Sequence, residues 1–355
     1  MSKISTTAAM IDSYTNTAIK NYVKSHDEST YFPKEMWDEL TNEMDIFLPI
    51  LSEENHTLSS DFITFIRKIA NEFAALSAIL LTQGCYGIYS ILNFGTAEQK
   101  ELYLEKLLKG QYIGGLGFCE YKHLKGLEDL ETYATKTEQG WCLSGKKAMI
   151  SNSSVADILL VLAKVKEQSK EETYGLFIVD PNDSDVLIGE QIEKPGLIGL
   201  PLSSVTLENV LLPKHALLGG ELLGDVQFAN IIKNMQLGLS AIALGIAEGA
   251  FKKGLEFAKV KREFGKRLID VEVHQHKFAV LYNKLCSAEA YFDSYPSQIE
   301  EDAKFVSRIK LYTTKVAIEI SDEIIRLIGP FQKFDKINIR RYLKDAEIIE
   351  NYGRS

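Results

Sequence analysis

Apolar positions set the outline of this chain before any motif is considered. Between Ala229 and Ala290 two long runs carry hydrophobic residues at helical spacing, separated by a break at Phe264-Gly265-Lys266-Arg267. In the first run Ile232, Leu239, Ile242, Ile246 and Ala250 recur on one face, and small residues from Gly238 to Ala250 crowd the same stretch. Small side chains let another backbone come close, so this run predicts a helix buried in a bundle. The second run places Phe278, Tyr282, Leu285 and Ala288 on one face. On pattern alone these are two core helices joined by a glycine turn.

Upstream, residues 1 to about 113 also read as helical. Trp37, Leu40, Met44 and Phe47 follow the breaker Phe32-Pro33, and Leu51 to Thr57 is polar and loop-like. Ser60-Asp61 is the expected cap of the next helix. Thr96-Ala97-Glu98-Gln99 fits a capping box, and Gly110 fits a helix stop. After Gly114-Gly115 the period changes. GLGFCE, ETYATKTE, GWCLSGKKAMISN, ADILLVLAKV, YGLFIVD, VLIGEQI and SSVTLENVLL are short β-rich runs between Gly, Asn, Asp and Pro turns. They predict an antiparallel barrel or sandwich from about Gly115 to Pro213. From Gly224 onward the pattern is helical again, with a turn at Ser294-Tyr295-Pro296-Ser297. The expected division is a helical domain (1–113), a β domain (114–222) and a helical bundle (223–355).

Composition narrows the function classes. Of 355 residues, 45% are hydrophobic, enough for a sizeable core, and the net charge of −9 argues against a nucleic-acid face or attachment to anionic lipid. Cys85, Cys119, Cys142 and Cys286 form no C-x-x-C pair, so neither a zinc site nor a disulfide framework is expected. The N-terminal residues lack an apolar signal core, and no apolar run is expected to span a bilayer. A cytoplasmic protein without metal is the expectation.

Several strings carry a family likeness. The NFGTAEQKELYLEKLLKG run, LSGKKAMISN, SVTLENVLLPKHALLGG, ALGIAEGAFKKGLEFAKVKREFGKRL followed by VHQHKFA, and RRYLKDAEIIENYG occur in that order along nearly the whole chain. The sequence resembles the acyl-CoA dehydrogenase family of flavoenzymes. That resemblance implies a mainly α fold with a central β domain: an N-terminal helical domain, a β-barrel or sandwich, and a C-terminal four-helix bundle. It also implies FAD and a homodimer or homotetramer.

By the resemblance, Phe118 and Cys119 fall where the family contacts the flavin edge. Cys119 replaces the usual Thr or Ser. Met149, Ile150 and Ser151 replace the family's Trp-Ile-Thr beside the flavin, and Ser151 keeps a hydroxyl able to reach N5. Lys261 and Arg262 stand at the cationic position that meets a partner subunit's FAD, with Phe264, Gly265 and Gln275 retained. Arg326, Gly329 and Pro330 fall at a second cross-subunit FAD contact, where only Gly329 matches. The family's substrate loop has become Cys119-Glu120-Tyr121-Lys122-His123-Leu124-Lys125-Gly126. Its basic residues read equally as a phosphate-bearing carrier site and as a solvated loop.

The largest departure is at the end of the chain. The family's general base is a Glu in Ile-Tyr-Glu-Gly-Thr, and here Gly353 occupies its place within Asn351-Tyr352-Gly353-Arg354-Ser355. The alternative base position in the bundle is Met235, followed by Gln236, and neither can take a proton. Glu350 and Tyr352 are the remaining candidates. Removing a weakly acidic α-proton needs a positioned base, so ordinary α,β-dehydrogenation is not the expected reaction. The resemblance extends to enzymes that oxidise short acyl groups on acyl carrier protein. The expected function is an FAD-dependent oxidoreductase acting on a short acyl thioester, on a carrier protein or CoA, in formation of extender units such as hydroxymalonyl- or aminomalonyl-thioesters. The alternatives are an acyl-CoA dehydrogenase with a relocated base, a flavin monooxygenase on the same fold, and a non-catalytic FAD-binding paralogue.

Overall fold

The computed structural model describes residues 3–26, 29–52, 57–122, 126–166, 172–260, 267–295, 303–328 and 338–352. Its first part holds helices α1 (Lys3–Tyr14), α2 (Lys20–His26), α3 (Lys34–Asp38), α4 (Ser60–Ala70), α5 (Ala74–Thr82), α6 (Ser90–Phe94) and α7 (Ala97–Leu108). The cap of α4 is Ser59, one residue before the expected Ser60. Its hydroxyl accepts from the Phe62 N–H at 3.1 Å, which satisfies a donor that the helix leaves open. The capping box on α7 forms as expected. The Thr96 N–H donates to Gln99 Oε1 at 2.9 Å, and the Gln99 N–H donates to Thr96 Oγ1 at 3.2 Å. Gly110 takes φ +65° where the chain leaves that helix.

Helices α5 and α6 are one continuous run, Ala74–Phe94, widened into a π-helical turn at Gln83–Tyr89. By length and hydropathy this run matches a membrane span, but 94% of its most apolar window is buried inside the protein. Such turns interrupt the regular i→i−4 ladder and often mark functional sites. Here the turn aims Gln83 at the first strand. The Gln83 amide donates to the Leu107 and Tyr112 carbonyls and accepts from the Gly114 N–H at 2.8 Å.

Seven strands follow: β1 (Gly114–Gly117), β2 (Tyr133–Lys136), β3 (Gly140–Ser151), β4 (Ile158–Val165), β5 (Thr173–Val179), β6 (Val186–Gln191) and β7 (Leu202–Pro213). They form one mixed sheet, which corrects the antiparallel expectation. β1 and β2 both run parallel to β4, while the remaining pairs are antiparallel. The register gives the reason. β1 lies against Ile158–Val161 and β2 against Lys164–Val165, while β5 takes the opposite edge of β4. β1 and β2 are therefore two halves of one interrupted strand. β4 itself is buried on both faces. Ile158, Leu160 and Leu162 join the helical core, and Leu159, Val161 and Ala163 join a second core inside the β domain. That is why it reads as an unbroken apolar run.

The rest of the described chain is α8 (Gly224–Ala258), α9 (Glu272–Asp293), α10 (Ala303–Ile328) and α11 (Arg340–Asn351). The small residues of α8 do what the pattern predicts. A Cβ on Gly245 would stand 2.3 Å from the Arg67 carbonyl oxygen of α4, and one on Gly249 2.2 Å from that of Asn71. Only glycine allows this helix contact. Among the contacts that fasten α11, Tyr342 Oη donates to the Asn71 carbonyl at 2.9 Å, and Asp345 accepts from the Leu197 N–H at 2.6 Å.

Candidate active site

The site begins at the interruption between β1 and β2. β1 ends at Gly117 and β2 begins at Tyr133, so backbone groups that a continuous strand would pair are opened. Glu120 closes the gap. Its carboxylate accepts from the Glu131 N–H at 2.7 Å and the Thr132 N–H at 3.0 Å. From β3, Lys147 donates to the same carboxylate at 2.8 Å, and both side chains are essentially inaccessible to water. Burial works to raise the Glu120 pKa, but Lys147 and the hydrogen bonds outweigh it and leave the carboxyl below its usual range. Burial pushes Lys147 down to about 8, against the opposing pull of Glu120. Glu120 is thus built into the sheet, whereas Tyr121 and Lys122 beside it are exposed. His123, Leu124 and Lys125 lie outside the described residues.

Further along β3 the ladder slips between Lys147 and Ile150, and Met149 takes φ +52°. A bulge of this kind re-aims side chains. Met149 is 55% exposed, an apolar side chain held outward at a strained backbone position, while Ile150 points into the second core. Ser151 follows. Its hydroxyl meets the phenol of Tyr352, which also lies 3.2 Å from Thr82 Oγ1 at the end of α5. Three hydroxyls from the sheet, the widened helix and the chain end therefore meet in one hydrogen-bonded chain. Burial pushes the Tyr352 phenol up to about 12, with its bonds to Ser151 and Thr82 pulling the other way. Its titratable neighbours include the thiols of Cys119 and Cys85. Among the described residues no carboxylate hydrogen-bonds to Tyr352, Ser151 or Thr82. Behind Tyr352, the buried Lys310 of α10 donates to the Glu350 carbonyl at 3.2 Å and to the Tyr352 carbonyl.

The other sequence candidates divide plainly. Phe118 packs its ring on Phe228 of α8 at 5.1 Å, and the Cys119 carbonyl accepts from the Ala148 N–H at 2.8 Å, so both flank the β3 bulge. Burial pushes the Cys119 thiol up to about 11. Gln275 caps a local turn by donating to the Ile269 carbonyl at 2.8 Å. Arg326 is exposed and pairs with Asp322 and Glu323 on its own helix. Lys261, Arg262, Phe264, Gly265, Gly329 and Gly353 lie outside the described residues. Met235 is fully buried, and Gln236 accepts from Ser307 Oγ at 2.8 Å.

Comparison with known proteins places this arrangement. The N-terminal, middle and C-terminal domain models of acyl-CoA dehydrogenase match residues 4–111, 115–210 and 226–353. The chain belongs to the acyl-CoA dehydrogenase family. Among its relatives is the 3-(aryl)acrylate reductase of Clostridium sporogenes, 27% identical over 82% of this chain and 78% of that protein. Butyryl-CoA dehydrogenase from Megasphaera elsdenii superposes with a TM-score of 0.89 at 22% identity, covering 100% of this chain and 95% of that one. Glutaryl-CoA dehydrogenase from Mycobacterium smegmatis, solved in complex with FADH2, gives 0.86 at 22% identity, covering 100% and 92%.

Acyl-CoA dehydrogenases are FAD-dependent oxidoreductases, and the residues here fit a planar, hydrogen-bonding ring. Met149 offers an exposed apolar surface, and Ser151 beside it offers a hydroxyl. Asn152, at φ +62°, has a buried Oδ1 with no hydrogen-bond partner among the described residues. Motif reading missed Thr82, Lys147 and Lys310. Lys310 did leave a trace, because Val306, Ile309, Thr313 and Ala317 set a core face on which a lysine is out of place.

Proposed function

We propose that this protein is an FAD-dependent oxidoreductase that oxidises a hydroxyl-bearing carbon of a short acyl thioester. The observation that carries the reading is the meeting of Thr82, Tyr352 and Ser151, a hydroxyl chain to which no carboxylate hydrogen-bonds among the described residues. Oxidising such a carbon removes a hydride from carbon and a proton from oxygen. FAD, when bound, is the hydride acceptor; Phe118, Cys119, Met149 and Ser151 are the residues that would hold it.

The phenol of Tyr352 sets what the protein side can do. Burial pushes its pKa up to about 12, so the phenol is neutral at neutral pH. Tyr352 is therefore a poor base for an α-carbon proton. As a neutral hydroxyl it can accept the substrate's O–H proton while releasing its own through Ser151 or Thr82, with solvent water as the final acceptor, which suits a proton that leaves an O–H. Gly353 and the buried Met235 support the same choice of reaction.

We further propose that the thioester is carried on acyl carrier protein, as in biosynthesis of hydroxymalonyl or aminomalonyl extender units, and that the protein works as a cytoplasmic homo-oligomer. The exposed Tyr121 and Lys122 support a carrier contact beside the site. Anaerobic titration of the holoprotein tests the reading. Glyceryl- and seryl-derived carrier thioesters are expected to bleach the flavin, with butyryl-CoA and octanoyl-CoA leaving it oxidised. Bleaching by the plain acyl-CoAs alone would replace this proposal with dehydrogenation through a relocated base, Glu350 first.

A further inference from the structure

Lys310 lies on the core face of α10 with only 7% of its surface accessible. An ammonium in such a place needs partners that offset lost hydration. It finds two where α11 ends, at the carbonyls of Glu350 and Tyr352. Terminal carbonyls of a helix lack intrahelical donors and form the negative end of its dipole, so a cation suits them. The chain leaves the helix at this point, with Tyr352 at ψ 137°. One end of that residue is held by Lys310, and the other end reaches Ser151 and Thr82. The lysine backbone is itself tied, since the hydroxyls of Thr313 and Thr314 both donate to its carbonyl.

We infer that Lys310 is the positioning residue for Tyr352: its ammonium clamps the end of α11 so that the phenol meets Ser151 and Thr82. The inference deepens the hydroxyl-chain reading above and rests on it for its functional consequence, though not for the placement itself. It accounts for a lysine on a buried helix face.

Two readouts separate the clamp from the chemistry. The first is the ring-¹³C tyrosine spectrum of the holoprotein at neutral pH, in which the Tyr352 signal is the one lost in Tyr352→Phe. Lys310→Met is expected to move that signal toward the position of an exposed tyrosine, and Lys310→Arg, which keeps a cation, to hold it near its original place. The second is the rate of flavin reduction by the thioester that bleaches the wild type. Tyr352→Phe is expected to lose about 100-fold, the usual scale for a positioned proton-transfer group. Lys310→Met should fall with it, and the double variant should be no slower than Tyr352→Phe alone.

A Tyr352 signal unmoved in Lys310→Met overturns the inference whatever the rates do. Additive losses in the double variant overturn it as well, because they mean that Lys310 does not act through the phenol. A displaced signal with unchanged rates in both single variants upholds the clamp and sinks the hydroxyl-chain reading instead. If Lys310→Met does not fold, Lys310→Gln, which retains one donor, is expected to displace the signal part of the way.

Discussion

Replacing Glu120 with Gln removes one charge from the centre of the β domain and little else. The amide still offers an oxygen to the Glu131 or Thr132 N–H. Lys147, 2.8 Å away and inaccessible to water, is left without its counter-charge. Breaking a buried pair from one side typically costs about 3–5 kcal/mol, because the remaining charge stays desolvated. Removing both charges, as in Glu120→Gln with Lys147→Met, should return most of that loss. The expected coupling is therefore about 2 kcal/mol or more, well above the value for solvent-exposed pairs. The chain contains two tryptophans, which makes the assay local. Trp141 lies on β3 against Phe177 at 5.3 Å, and Trp37 is in the N-terminal helices. Urea unfolding followed through Trp141 in a Trp37→Phe background reads the β domain alone. Lys122→Ala is the control, since the exposed Lys122–Glu131 contact at 3.8 Å should contribute under about 1 kcal/mol. If Glu120→Gln shifts the Trp141 transition no more than Lys122→Ala does, the argument that Glu120 and Lys147 hold the interrupted strand is wrong.

Other consequences can be checked alongside. Gly249→Val should cost about 3 kcal/mol or more, read as a shifted urea midpoint or loss of soluble protein, because its Cβ would collide with the Asn71 carbonyl. Thr96→Ala removes half of the capping box and should cost about 1 kcal/mol in the same measurement. On the acid side, Glu120 has its folded pKa lowered, so its contribution is present above the unfolded value of about 4.3 and is lost as pH falls below it. The acid branch of the stability profile should be shallower in Glu120→Gln. On the alkaline side, Tyr352 has its pKa raised, so stability falls as pH rises from about 10 to about 12. Tyr352→Phe should lose less over that window.

Local signals carried far in this sequence. The Thr96–Gln99 box, the Gly110 stop and the glycine-rich face of α8 each state a contact that the structure makes. What failed was direction. Nothing in GLGFCE and ETYATKTE says that they continue one another along the same edge of β4, because that register is set by β4 and not by either run. Glu120 reads as part of a loop that is either a carrier site or solvated, while its partners Glu131 and Thr132 stand just before β2 and Lys147 on β3. Ser151 and Tyr352 were both picked out by family position, but their contact joins segments two hundred residues apart, and periodicity cannot report it. Thr82 was hidden inside a uniformly apolar helix, where a threonine attracts no notice. Lys310 was visible only as a lysine on the wrong face.

That the proposed reaction uses no α-carbon base is the central claim, and deuterium wash-in tests it without needing the native substrate. Holoprotein is incubated anaerobically with butyryl-CoA in D2O, and the thioester is analysed by mass spectrometry and proton NMR. An enzyme with a positioned carboxylate labels the α-carbon even when no net oxidation follows. The account predicts no α-label above the uncatalysed control, in the wild type and in Glu350→Gln alike. Rapid labelling in the wild type that disappears in Glu350→Gln would contradict it and make Glu350 the base.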